Sequence, residues 1–420
     1  MPFSASEDST ENGLNAFKWL IHPFGMKKFF KMVFQKKELH VCHNNLKYYG
    51  NLFSTTKFID ILQMEYIEYG TNVNVAVYKD QKRYTLNGVG KVYPYSIKNS
   101  LLDGHSIQFT NPQSFCDSIW YYCDLLQEVF GSFVGANTYL TPPNSAGFAP
   151  HWDDIDAFLL QLEGRKYWKI YKPVEEDEML PRVPSDNFTD DDMTDRTLVF
   201  DGWLEQGDLL YIPRGFIHQG FADESIHSLH LTISVGRNIT YADLLEEIVP
   251  PAISIFANKQ VDIRKSLPLR YLDMTGVLDC NYVIGAEAVS SNFCNFLKNL
   301  NETAVDIMAR EFMRTALPPM LTTGNLASVV VQYFHFFFSC LTLLIYESEE
   351  RCFIVHRMAN SRVYEGRPEF VGGFVSLLNS YPKWCSISDL KCDTAADNIE
   401  LAELLFSNGL IMAKFGKTVW

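Results

Sequence analysis

Residues 149–171, APHWDDIDAFLLQLEGRKYWKIY, decide the fold. The run AFLLQL, a turn at Gly164 and the run YWKIY are short β-rich segments punctuated by a turn residue. Just upstream, His151 and Asp153 are spaced by two, so on an extended chain both side chains leave the same face. Outward from this stretch the pattern repeats: VNVAVY, SIQF and TYL precede it, and TLVF, DLLYIP and HLTISV follow it. The spacing predicts an antiparallel barrel or double-sheet jelly roll over residues 71–241, interrupted by one helix at about Asp117–Phe130.

The flanks read differently. Residues 1–70 carry short apolar helical faces, with an N-cap at Ser54 or Thr55. Helical periodicity returns after Tyr241 and fills 242–320, bounded by Pro250-Pro251 and Pro318-Pro319. Residues 321–420 read as a mixed α/β tail. Leu326–Tyr346 is long and apolar enough to suggest a membrane helix. Gln332, His335, Ser339 and Thr342 interrupt it and no Lys/Arg cluster flanks it, so buried strands or a core helix are expected and no membrane association.

The 420 residues are 47% hydrophobic and 20% charged, which excludes a disordered chain or a small disulfide scaffold. Lys plus Arg number 36 against 50 Asp plus Glu, a net charge of −14 that argues against a broad basic nucleic-acid surface and suits a basic protein partner. Nine cysteines form no C-x-x-C pair, and the opening MPFSASEDSTENG is unlike a secretory leader, so a reducing compartment is expected. Between Glu175 and Asp208 twelve acids face only Arg182 and Arg196, a solvated loop or a surface that steers a basic substrate.

The second chemical segment, GDLLYIPRGFIHQG, delivers His218 after the turn at Pro213-Arg214-Gly215. A jelly roll can bring that strand opposite His151 and Asp153. Two imidazoles and one carboxylate on one face match the facial triad for non-haem Fe(II). The chemistry needs this shortage of protein ligands, because the open positions must admit a bidentate co-substrate and dioxygen. Lys166 on the next strand could bind the far carboxylate of 2-oxoglutarate. Asn137 and Tyr139 alternate on GANTYLTPP and could contact co-substrate or substrate. On HSLHLTISV, His230, Thr232 and Ser234 share one face. His227 and His230 are expected to be structural or supporting residues rather than ligands, and Trp152 to point away into the core.

The stretches NTYLTPPNSAGFAPHWDDIDAFLLQLEGRKYWKIYKP and GDLLYIPRGFIHQG closely resemble the JmjC-type ribosomal oxygenases, nearest their nucleolar histidyl-hydroxylase branch; the likeness runs from about Phe17 to Phe415. It implies a cupin-like JmjC double-stranded β-helix, a helical dimerisation domain at 242–320 and a winged helix at 321–420. It implies Fe(II) on His151, Asp153 and His218, and 2-oxoglutarate and O2 as co-substrates, with Lys166 and Asn137 holding the 2-oxoglutarate. Tyr139 and Ser234 would then lie near the target side chain. The sequence departs from the family where a substrate-contacting Arg is expected and Gln108 stands, and in the very apolar Val329–Tyr346.

The function so implied is hydroxylation of a histidine in a large-subunit ribosomal protein, by a nuclear, nucleolar homodimer. The alternatives are demethylation of N-methyl-lysine on the histone H3 tail, and a non-catalytic JmjC scaffold acting on chromatin. Residues 366–420 carry five bases and six acids, so the winged helix is expected to contact protein rather than DNA.

Overall fold

The computed structural model describes residues 6, 8–266, 301–319, 333–336, 342–348, 351–356, 363–381 and 383–414. Two helices, α1 (Ser9–Ile21) and α2 (Met26–Met32), lead into strand β1 (Leu39–Val41) and helix α3 (Thr55–Met64). Ser54 caps α3, its hydroxyl accepting from the Lys57 amide at 3.1 Å. Strands β2 (Val73–Lys79) and β3 (Lys82–Thr85), helix α4 (Pro94–Leu102), strand β4 (Ser106–Thr110) and helix α5 (Asp117–Phe130) follow. The rest of the barrel is β5 (Gly135–Thr141), β6 (Asp156–Gly164), β7 (Lys166–Tyr171), β8 (Leu198–Leu204), β9 (Leu209–Ile212), β10 (Ile217–Ala222) and β11 (Ser228–Val235).

One sheet has eight strands in the order β1-β9-β6-β11-β5-β4-β2-β3, and a second has three, β10-β7-β8. Every pairing between these strands is antiparallel. The strand β6 shows why this sequence makes a double-sheet fold. Its Phe158, Leu160 and Leu162 join the core that holds Phe17 and Phe29 of the N-terminal helices, while Ala157 and Leu159 join a second core with Trp168 and Ile170 of the small sheet. A strand buried on both faces reads as a continuous apolar run rather than an alternating one. Gly164 makes the turn into β7 at φ +60°, where a Cβ would lie only 1.8 Å from the His227 carbonyl oxygen.

Beyond the barrel lie α6 (Tyr241–Lys259) and α7 (Asn301–Thr315). Pro250-Pro251 do not bound a helix as the sequence suggested: α6 runs through them. Two successive prolines remove two amide donors, and a helix with one exposed face tolerates that loss. The last unit contains strands β12 (Tyr333–Phe336), β13 (Thr342–Ser348), β14 (Arg351–His356) and β15 (Val363–Gly366), then α8 (Val371–Ser380), β16 (Cys385–Ser386), α9 (Ala395–Ser407) and β17 (Ile411–Lys414). Its core is Phe370, Phe374, Leu377, Leu401 and Leu405. Most of Leu326–Tyr346 lies outside the described residues; the parts described are β12 and the start of β13. Among the described residues no helix is long and apolar enough to cross a membrane.

The N-terminal region is helical as expected, with one correction. Leu39–Val41 adds a strand to the edge of the large sheet, in register with Leu209–Tyr211. Three residues are too few for their periodicity to be read from sequence.

Candidate active site

The strand β10 and the segment before β6 come together at a single backbone bridge. The His218 amide donates to the His151 carbonyl at 2.9 Å, and the His151 amide to the His218 carbonyl at 3.4 Å. This pair fixes two imidazoles side by side, with ring centroids 4.7 Å apart. His151 Nδ1 lies 2.8 Å from the Ala149 carbonyl and His218 Nδ1 lies 3.1 Å from the Phe216 carbonyl. A carbonyl can only accept, so each Nδ1 carries the proton and each Nε2 presents its lone pair. Both Nε2 atoms face Asp153, at 3.9 Å from His151 and 3.6 Å from His218. Those distances are beyond hydrogen bonding, yet the three ligand atoms all lie within 4.8 Å of one another. Burial and the neighbouring His151 push the His218 imidazole down to about 4, which keeps it neutral and able to coordinate at neutral pH.

The donor set therefore fits a divalent metal: two lone pairs with fixed tautomers and one carboxylate, with Asp153 partly open to solvent.

Lys166 enters the same cavity from the start of β7. It is only 3% exposed, its Nζ lies 3.2 Å from Thr141 Oγ1, and it stands 5.1 Å over the Trp168 ring. No carboxylate pairs with it among the described residues, and burial pushes its ammonium down to about 7. An ammonium buried without a counter-ion is costly unless an anion joins it. Gly220, on the adjacent β10, leaves the room it needs: a Cβ there would come within 2.8 Å of Lys166 Cε and 3.0 Å of Trp168.

The cavity, about 490 Å³ of non-atom space with its mouth, is lined by His151, Asp153, His218, Lys166, Tyr139 and, among others, His230 and Thr232. Trp168 Nε1 and His230 Nδ1 are buried with no partner among the described residues. Two unmet polar atoms beside one buried ammonium suit a polar ligand rather than a packed core.

Tyr139 forms one wall. Its ring stacks on His230 at 4.8 Å and 7°, and its hydroxyl accepts from Gln108 Nε2 at 3.2 Å. Asn137 also reaches this hydroxyl. Asn74 Nδ2 donates to Gln108 Oε1 at 3.3 Å, and Asn87 Nδ2 to Asn74 Oδ1 at 2.9 Å, so a chain of amides runs into the wall from outside. Enclosure and the charge of Asp153 push the phenol up to about 12, so it stays protonated.

Of the residues singled out from sequence, His151, Asp153, His218, Lys166 and Tyr139 line one cavity. Gln108 and Asn137 stand one layer behind, touching Tyr139, and Ser234 is not among the lining residues. Trp152 is not core. It lies half-buried against Phe188 at 5.3 Å, and its Nε1 donates to the Val183 carbonyl at 3.3 Å. The cause is that residues 150–155 are a loop, so strand alternation does not carry Trp152 into the sheet's interior. His227 pairs with Glu163 at 2.8 Å, and His230 lines the cavity without joining the triad.

Sequence reasoning missed Thr141, Trp168, Gln219, Gly220 and Arg83, whose guanidinium sits 4.2 Å over Phe148 at the cavity. Thr141 was accessible, because it continues the alternation of Asn137 and Tyr139 along β5. Nothing in the sequence signals Arg83.

The chain matches the family model of the JmjC domain over residues 108–244 and that of the ribosomal oxygenase 1 C-terminal winged helix domain over residues 339–416. It is 64% identical to a bifunctional lysine-specific demethylase and histidyl-hydroxylase NO66 of Brugia malayi, over 99% of this chain and 63% of the relative. It is 37% identical to ribosomal oxygenase 1 of Danio rerio, over 96% of this chain and 80% of that protein. The chain thus spans less than two thirds of the Brugia malayi relative's length. The solved structure of YcfD, a ribosomal oxygenase from Escherichia coli in complex with cobalt and 2-oxoglutarate, shares the fold at a TM-score of 0.50 and 14% identity, covering 93% of this chain and 98% of that one. The cupin-like barrel with its C-terminal winged helix and the extent of these matches place this chain in the JmjC-domain ribosomal oxygenase family.

Proposed function

We propose that the chain is an Fe(II)- and 2-oxoglutarate-dependent oxygenase that hydroxylates a histidine side chain of a large-subunit ribosomal protein. The observation that carries the reading is the single cavity in which His151, Asp153 and His218 face one another and the ammonium of Lys166 is buried without a carboxylate. His151 and His218 would hold the metal through Nε2, and Asp153 through its carboxylate. Iron, 2-oxoglutarate and dioxygen, when bound, supply the oxidising power that turns C–H into C–OH, with succinate and carbon dioxide as co-products.

The protein's own part is placement. The bridge between His151 and His218 fixes the imidazoles before any metal arrives. Lys166 and Thr141 would receive the co-substrate's distal carboxylate, each donating a charge-assisted hydrogen bond to it. Asn137 acts through Tyr139, whose protonated phenol faces the incoming side chain. Gln108 holds that phenol where the family pattern expects a substrate-contacting Arg, which makes this wall the place to look for altered preference. Ser234 is assigned a substrate role on the resemblance alone.

A basic protein substrate suits the surroundings. Ten of the twelve acids between Glu175 and Asp208 are exposed, and this segment grips the metal loop: the Phe188 amide donates to the Pro150 carbonyl at 2.9 Å and the Trp152 amide to Ser185 Oγ at 2.9 Å. Family membership supports a nuclear protein. Nucleolar residence and a homodimer through residues 242–320 are finer parts of the proposal. The domain boundaries are those set out from the sequence.

The name of the Brugia malayi relative motivates a second reading, N-methyl-lysine demethylation on a histone tail such as that of H3. Hydroxylation of an N-methyl carbon gives a hemiaminal that loses formaldehyde, so the two readings differ in product. The test is mass spectrometry of ribosomal-protein histidine peptides incubated with protein, Fe(II), ascorbate and 2-oxoglutarate in air. One added oxygen on histidine, absent with Asp153→Ala, is expected. Formaldehyde from methylated histone peptides with no histidine product would replace the first reading with the second.

A further inference from the structure

At the edge of the large sheet, away from the cavity and sharing no residue with it, His40, Cys42 and Asp208 bring a nitrogen, a sulfur and an oxygen within 4.8 Å of one another. His40 lies on β1, opposite Leu210 of β9, and Asp208 immediately precedes β9. The distances are specific. His40 Nε2 is 3.2 Å from Asp208 Oδ2 and 3.5 Å from Cys42 Sγ. A tetrahedral zinc ion with bonds of roughly 2.0–2.1 Å to nitrogen and oxygen and about 2.3 Å to sulfur separates nitrogen from oxygen by about 3.3 Å and nitrogen from sulfur by about 3.5 Å. Both observed edges match one face of that tetrahedron.

The burial of the carboxylate is a further pointer. Asp208 is 4% exposed, and no Lys or Arg pairs with it among the described residues. Its oxygens accept from the His43 amide at 3.2 Å and the Glu205 amide at 3.4 Å. Those bonds fix its orientation; the groups left to balance its charge are His40, at 3.2 Å, and the Cys42 thiol, so a cation bound between the three would replace their shared protons. Cys42 is exposed, which leaves the fourth face of the tetrahedron to water.

We infer that His40, Cys42 and Asp208 form a second metal site, which takes a thiolate-accepting divalent cation of the zinc class. Nitrogen, sulfur and carboxylate oxygen are the zinc donor set, whereas the cavity triad holds no sulfur. Zinc here clips β1 to β9 and closes the edge of the eight-stranded sheet. The strand β9 runs on into the Pro213–Gly215 turn that delivers His218, so the clip steadies the barrel without touching the reacting atoms.

The test uses the metal-stripped full chain under anaerobic, reducing conditions, titrated with Co2+ and followed by absorption. Sulfur coordination gives a near-ultraviolet thiolate-to-cobalt charge-transfer band that the cavity triad cannot produce. The band is expected in the parent protein, is expected to bleach on adding Zn2+, and is expected to survive Asp153→Ala. It should vanish in Cys42→Ser and in His40→Gln, with bound metal falling by one equivalent in each. Absence of the band at saturating Co2+, or a band of equal strength in Cys42→Ser, overturns the site. Neither readout depends on catalysis, so the result stands apart from the proposed oxygenase activity.

Discussion

The two faces of β11 belong to one backbone and obey opposite rules. Leu229, Leu231, Ile233 and Val235 point outward, are at most 1% exposed and join the core under the N-terminal helices. His230 and Thr232 point inward to the cavity, where His230 Nδ1 has no partner among the described residues. Across from them Lys166 is buried, with no counter-ion among the described residues. The outer face is fully buried apolar side chain, and the inner one carries polar groups that a stability-optimised core would exclude. The difference separates where this molecule holds its fold from where it stores unmet chemistry.

That division is broken most directly at the triad. Asp153→Ala should lower Fe(II) affinity at the triad and succinate formation by more than about 100-fold, beyond what loss of a supporting hydrogen bond causes. Circular dichroism should not change, since Asp153 sits on a partly exposed loop. Unchanged Fe(II) affinity in this variant would refute the site.

Lys166→Met sharpens the comparison because activity and stability should move in opposite directions. Loss of a charge-assisted bond is expected to raise the KM for 2-oxoglutarate by about 10- to 100-fold. Burial holds the Lys166 ammonium at about 7 in the folded protein, against 10.5 in the unfolded chain. Between those values the unfolded chain binds more protons, so stability rises with pH; below about 7 the cost of the buried charge is fully present. Lys166→Met should therefore raise the Tm at pH 6 in the ligand-free protein, and the gain should shrink toward pH 10. A lower Tm at pH 6 would mean that the ammonium already has a partner in the free protein.

On the outer face, Leu231→Ala should cost roughly 2–5 kcal/mol in denaturant unfolding, as for other fully buried leucines. Its turnover per folded molecule should stay within about 2-fold of the parent, the change expected of a site remote from the reacting atoms. Lost turnover at unchanged stability would show that the two faces are not separable.

Much of this contrast was readable from sequence, for a physical reason. Strand alternation carries both face assignments on β11 and β5; His151 and Asp153 do come together, but in a loop held by the bridge to His218 rather than on the extended strand the spacing of two suggested. The GDLLYIPRGFIHQG turn also announces His218. Alternation fails where the chain leaves the sheet, which is why Trp152 packs on Phe188 instead of the core. It fails too for groups brought in from distant strands: Arg83 over Phe148, and the chain Asn87–Asn74–Gln108 behind Tyr139, are products of register and carry no local pattern. Pro250-Pro251 misled because the helix signal was weighed against tertiary support that one sequence does not display.

Thr141 tests the finest part of the division, a hydroxyl on the inner face that sequence alternation could have supplied. Thr141→Val keeps the shape and removes the acceptor 3.2 Å from Lys166 Nζ. A hydroxyl-to-carboxylate hydrogen bond contributes about 1.5 kcal/mol at the low end for a charged acceptor, so the KM for 2-oxoglutarate should rise by about 10-fold with kcat unchanged. The ammonium also loses a group that favours its charged form, so its pKa should fall further, and co-substrate affinity should begin to weaken at a lower pH than in the parent. The two effects separate on a KM–pH profile, as a vertical offset and an acid shift. An offset without a shift would mean that Thr141 touches the co-substrate alone, and a profile superimposable on the parent's would remove it from the site.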